Sequence, residues 1–115
     1  MHEASLALSI LETVCGQCRQ QGFHTIHSVR LRIGQAAGVV ADCLDFAFLI
    51  AREDFPAARK ATLVIEQVPL GGTCHDCGRG FVAAGSCVLH CPHCHSARYS
   101  LSGGFEFDIV DMEVD

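Results

Sequence analysis

Residues 74–94 read CHDCGRGFVAAGSCVLHCPHC: two CxxC knuckles, Cys74 with Cys77 and Cys91 with Cys94, with thirteen residues between them. A ribbon folded back on itself brings four such thiolates to the corners of a tetrahedron, the arrangement that suits Zn²⁺. A four-thiolate site is closed and leaves no position for an activated water, so the expected role is structural. The segment around it, from Pro69 to Gly104, holds five of the eight cysteines and few large apolar side chains. It is shorter than the ~40 residues at which an apolar core alone suffices. Metal binding, worth ~10–16 kcal/mol in zinc-finger peptides, is therefore expected to supply its folding energy.

Cys87 and the histidines His75, His90, His93 and His95 crowd the same ribbon. They are read as solvated loop residues, although exchange of a thiolate for an imidazole would make the site sensitive to pH near ~6.5. CPHCH also has the form of a haem c attachment pattern, but that reading leaves Cys74 and Cys77 unexplained and calls for an export signal. A zinc deaminase would need an HxE element and PCxxC, and neither occurs.

Outward from the knuckles, the chain alternates helix and strand. From Glu3 to about Gln20, Leu6, Ala7, Ile10, Leu11 and Val14 recur at three- and four-residue steps, which predicts a helix ended by Gly22. HSVRLRIG places Val29, Leu31 and Ile33 on one side of a strand and Arg30 and Arg32 on the other. Asp42 is the expected cap of a second helix lined by Leu44, Ala47, Phe48 and Ala51. ATLVIEQV is a β-branched strand. In FEFDIVDMEVD the alternation changes phase, and a bulge near Ile109 and Val110 is expected to bring both phases to one core face. The fold class is thus α+β: a small, mainly antiparallel three-stranded sheet covered by two helices, with a four-cysteine zinc ribbon inserted. Residues 1–68 and 105–115 form the first expected domain, and residues 69–104 the ribbon.

The chain has 115 residues, half of them apolar, with eight Lys and Arg against thirteen Asp and Glu, a net charge of -5. That balance opposes a phosphate-tracking surface, so no nucleic acid partner is expected. No apolar run approaches the ~20 residues needed to span a bilayer, and the start lacks a basic signal-peptide region. A cytoplasmic protein is the expectation, and in such a compartment many cysteines favour metal over disulfides. No nucleophile and base pair suggests an enzyme.

CGQC, with Cys15 and Cys18, has the spacing of a redox pair, but it falls late in the first helix, where the dipole raises rather than lowers a thiol pKa. The spacing does put both sulfurs on one helical side. The pair is read as small helix residues open to incidental metal binding or oxidation, and Cys43 as a helix residue of the same kind.

The opening MHE offers different chemistry. The amine of Met1, the amide nitrogen of His2 and its imidazole can chelate one ion through fused five- and six-membered rings. Glu3 can add an oxygen or its own amide. A deprotonated amide donor suits Ni²⁺ or Cu²⁺ far better than Mg²⁺ or Ca²⁺.

Taken in order, MHEASLALSILE, VRLRIGQAAGVV with LDFAFLIARE, LVIEQVP, and CHDCG paired with CPHC span nearly the whole chain. In this combination the sequence resembles the HypA/HybF family of nickel metallochaperones in NiFe hydrogenase maturation. The resemblance implies a labile nickel site at Met1, His2 and Glu3, and zinc held by Cys74, Cys77, Cys91 and Cys94. It further implies delivery of Ni²⁺ to the hydrogenase large-subunit precursor in partnership with the GTPase HypB, by a monomer or weak homodimer. Some relatives carry an acid in the loop after the IG pair, where an ungapped reading places Val40. The alternative is a zinc-ribbon interaction or regulatory module in which His2 is incidental.

Overall fold

The first helix, α1 (Glu3–Gln20), buries Ala7, Ile10, Leu11 and Val14 of the stripe that its three- and four-residue spacing predicts; Leu6 of that stripe is half-buried, and Cys18, outside it, is buried as well. These elements come from a computed structural model that describes residues 3–115. Gly22, at φ +79°, ends the helix. Its N–H donates to Arg19 O at 3.1 Å, and the Phe23 N–H donates to Cys18 O at 3.0 Å. That pair of bonds is a Schellman closure, and glycine enters the left-handed region it requires at no steric cost.

β1 (Ile26–Gly34) buries Ile26, Val29, Leu31 and Ile33. α2 (Ala41–Ala51) buries Leu44 and Phe48. Two short 3-10 turns follow, Arg52–Asp54 and Pro56–Ala58, the second opened by Pro56, whose fixed φ suits a first helical position. β2 (Thr62–Val68) comes next, and the chain closes with β6 (Phe107–Val114). Between them lie β3 (Gly71–Cys74), β4 (Gly80–Val82) and β5 (Tyr99–Gly103).

The strands form two three-stranded sheets, ordered β2-β1-β6 and β4-β3-β5. In the first, Thr25 and Asp115 exchange backbone bonds at 2.8 and 3.1 Å and Gly34 N–H donates to Glu106 O at 2.7 Å, so β1 and β6 run antiparallel. Gln35, just past β1, donates to Val68 O at the end of β2 at 2.9 Å. The two strand ends therefore meet, and the connection through α2 is long enough for that parallel arrangement. The expected three-stranded sheet is present, with one antiparallel and one parallel pair. In the second sheet β3 pairs antiparallel with both neighbours, Gly72 opposite Phe81 on one side and Leu101 on the other.

Two expectations change. Asp42 does not cap α2: the cap residue is Val40, without a side-chain cap, and Asp42 lies in the first turn, where its charge faces the positive helix end. In β6, Ile109 and Val110 remain 38% and 36% exposed rather than sharing a core face. β6 is an edge strand, and the central strand β1 supplies the core face in its place.

The chain divides into two compact units. The first comprises Met1–Leu31, Val39–Glu66 and Asp108–Asp115; its core is the buried faces of α1, α2 and β1 with Ala58 and Ala61. The second comprises Arg32–Gly38 and Gln67–Phe107, with Ile33, Leu70, Phe81, Cys74 and Cys91 buried. Within it Phe81 meets Tyr99 edge-on, centroids 5.8 Å apart, and the Tyr99 hydroxyl donates to Val88 O at 2.6 Å. Among the described residues no helix is long and apolar enough to cross a membrane.

Candidate metal centre

Cys74 closes β3, and the chain turns sharply behind it. The Gly78 N–H donates to Cys74 O at 3.1 Å and the Cys74 N–H to Arg79 O at 3.0 Å. The second knuckle repeats the pattern: the His95 N–H donates to Cys91 O at 2.9 Å and the Cys91 N–H to Ser96 O at 2.8 Å. In both, the residue after the second cysteine is left-handed, Gly78 at φ +74° and His95 at φ +64°. The first knuckle uses the residue that tolerates this, and the second places a histidine there.

The two turns aim four sulfurs at one point. Cys74 Sγ lies 3.6 Å from Cys94 Sγ, and Cys77 Sγ lies 3.8 Å from Cys91 Sγ. All four lie within 4.8 Å of one another. A tetrahedral ion with bonds of about 2.3 Å places its sulfurs about 3.8 Å apart, so the cluster has the size that a Zn–S₄ centre requires. Cys74 and Cys91 are buried, and Cys77 and Cys94 are exposed. The buried sulfurs accept backbone hydrogen bonds, from Cys77 N–H at 3.5 Å and His93 N–H at 3.4 Å, which favour the thiolate form.

The thiols alone are electrostatically mismatched. The Cys77 N–H is the main influence holding Cys74 down at about 7. At Cys94 the Ser96 N–H pulls downward, but burial and the neighbouring sulfurs of Cys74, Cys91 and Cys77 together push it up to about 12. Four thiolates cannot share so small a space without a cation among them, and a divalent soft-to-borderline ion is the species that resolves the repulsion.

Asp76, inside the first knuckle, ties it to the segment after the second. Its carboxylate accepts from the Ser96 hydroxyl, and from Arg98 Nη1 at 3.1 Å. The motif reading passed over this link; its signal was an acid inside one CxxC with Ser and Arg just beyond the other.

The ribbon histidines have other partners. His75 Nε2 shares a hydrogen bond with Ser100 Oγ at 2.6 Å, His93 Nε2 donates to Gly80 O at 3.3 Å, and His90 Nδ1 donates to Cys91 O at 3.3 Å. The His90 and His95 rings lie 5.0 Å apart. Among the described residues, the four cysteines are the group of three or more ligating side chains close enough to hold an ion.

Of the opening chelate, Met1 and His2 lie outside the described residues. Glu3 opens α1, and its Oε2 accepts the Val40 N–H at 3.2 Å. Its side chain therefore reaches the start of α2.

A family model described as "Hydrogenase/urease nickel incorporation, metallochaperone, hypA" matches residues 1–114. The chain belongs to the HypA family. The hydrogenase maturation factor HypA of Synechococcus elongatus is 41% identical over 114 residues, covering 99% of each chain. That of Chloroflexus aggregans is 38% identical over 113 residues, covering 98% of each. The solution structure of the Ni metallochaperone HypA from Helicobacter pylori is similar at a TM-score of 0.65 and 25% identity, covering 99% of this chain and 97% of that one. The HypA family is thus one of nickel-incorporation metallochaperones in hydrogenase maturation, as the ordered motifs predicted, and its mixed α+β fold with clustered cysteines is the one described above.

Proposed function

We propose that this chain carries Ni²⁺ on a chelate built by Met1, His2 and Glu3, and hands it to the hydrogenase large-subunit precursor in concert with the GTPase HypB. Its second unit holds Zn²⁺ through Cys74, Cys77, Cys91 and Cys94 as a structural ion. The observation that carries this reading is the family match over residues 1–114, which includes both the opening MHE and the four-cysteine ribbon. The sulfur spacing supports zinc in particular.

The division of labour follows from donor chemistry. Zinc in a closed thiolate cage stays in place and contributes folding energy. Nickel as cargo must leave again, and a terminal amine, amide and imidazole exchange their ion for protons or for a partner's ligands. Nickel lies high in the Irving–Williams order, so such a nitrogen site resists every common competitor except copper.

The test is a calorimetric nickel titration of zinc-loaded, tag-free protein beginning at Met1, run beside His2→Ala. One tight site that disappears in the variant, with zinc content unchanged, is the expected result. Undiminished tight nickel binding in His2→Ala would overturn the chelate, and absence of nickel binding in both would leave a zinc-ribbon interaction module as the better description.

A further inference from the structure

Away from the ribbon, the cysteine pair on α1 lines a cavity. Cys15 and Cys18 are three residues apart on one helical side. Cys18 is 1% exposed and Cys15 half-buried. Both face a cavity of about 360 Å³ whose wall also includes Arg19, Phe23, His24 and Phe55. The two thiols sense each other electrostatically: burial first, and Cys18 second, raise Cys15, while the Arg19 charge pulls it down.

We propose that Cys15 and Cys18 form a second metal site, which takes Cu(I) between two thiolates at the wall of this cavity. The ligand count selects the ion. Zn²⁺ in a protein site wants four ligands, and no third Cys, His, Asp or Glu joins this pair among the described residues at ligating distance. Cu(I) is soft, prefers sulfur and is satisfied by two thiolates in line. Binding releases both thiol protons and leaves a dithiolate complex of charge -1, with no electron transferred. Arg19 supplies the compensating charge at the cavity wall, where Phe23 and Phe55 add apolar surface beside the pair. This site does not depend on the nickel reading. It uses different residues and a different class of donor.

The experiment is an anaerobic titration of the full, zinc-loaded, reduced chain with Cu(I), against the chromophoric chelator bathocuproine disulfonate. A zinc-sensitive dye reports any release from the ribbon. The expected result is one equivalent of Cu(I) taken up with no zinc released and a near-ultraviolet sulfur-to-copper band, all lost in Cys15→Ser and retained in Cys43→Ser and Cys87→Ser. Cys15 is only half-buried, so Cys15→Ser tests the site even if a change at buried Cys18 unfolds the helix. Arg19→Gln should weaken binding about 10-fold, as loss of a supporting group does at other metal sites. The proposal is overturned if the first equivalent displaces zinc, if the chelator retains all the copper, or if Cys15→Ser binds as the parent does.

Discussion

Glu3 Oε2 accepts the backbone N–H of Val40 at 3.2 Å, so the first residue of α1 closes the start of α2. In a capping box, a glutamate inside the helix reaches back to the cap residue's N–H. Here the carboxylate comes from another helix, and Val40 has no side-chain cap of its own. Glu3→Ala should lower stability by about 1 kcal/mol, with Glu3→Gln losing less. Urea unfolding measures it, and Val40 amide exchange should quicken in the alanine variant. An unchanged Val40 exchange rate would show that the contact does not form in solution.

His95 occupies a left-handed position that its counterpart in the first knuckle gives to Gly78. A side chain there costs about 1 kcal/mol or more. His95→Gly should therefore keep the bound metal and slow its loss to a chelator, whereas β-branched His95→Val should hasten it. Faster metal loss from His95→Gly would mean that the imidazole contributes more than the backbone strain costs.

Zinc removal should affect one unit. Cys74→Ala or Cys94→Ala takes one corner from the sulfur cluster and leaves the others repelling one another. Residues 69–104 are expected to lose their dispersed NMR signals while those of Ala7–Val14 and Leu44–Phe48 persist, because the latter sit in an apolar core of their own. Collapse of both sets together would show a single cooperative unit.

Gly34 and Gly104 touch backbone to backbone. A Cβ on Gly34 would lie 2.1 Å from the Gly104 carbonyl carbon and oxygen, and neither atom can turn aside as a side chain would. Gly34→Ala should cost at least about 3 kcal/mol, the upper end of ordinary overpacking. A melting curve that matches the parent's would refute the close approach.

The carboxyl of Glu106 is held below the usual 4.5, chiefly by its own backbone N–H, then by the Gly104 N–H and the Phe105 N–H, with the Arg32 charge adding to them. The Gly104 bond is 2.7 Å long. A depressed carboxylate contributes stability that is fully present above 4.5 and is lost as pH falls through the lowered value. The Gly104 amide shift should accordingly titrate with a midpoint below 4.5 and stay flat in Glu106→Gln. A midpoint at or above 4.5 would contradict the assigned hydrogen bonds.

Much of this was legible in one dimension because period and spacing carry it. The apolar stripe of α1 and its stop at Gly22 matched the observed helix, since local sterics and a 3.6-residue repeat determine both. The alternation in β1 marked its buried face for the same kind of reason. Two CxxC pairs marked the sulfur cluster, because short knuckles restrict where their own sulfurs can point. The edge strand β6 was harder: its two apolar phases are both plausible faces, and which one is covered depends on neighbours distant in the chain. Asp42 looked like a cap by residue type, yet the cap lies two residues earlier, at Val40, whose N–H finds its acceptor on Glu3, thirty-seven positions away.

By itself, then, the sequence determined what short-range chemistry can dictate: the helix and strand periods, the four-thiol donor set and the nitrogen-rich opening MHE. Tertiary structure alone decided the partners that loop closure brings together. These are the Glu3 carboxylate on Val40, the Asp76 link between knuckles, the Gly34 contact with Gly104, and the cavity that Cys15 and Cys18 line. The physical reason is one of range. Dihedral preference and side-chain period act over a few residues, whereas a hydrogen bond or a cavity wall exists only after distant segments have packed against each other.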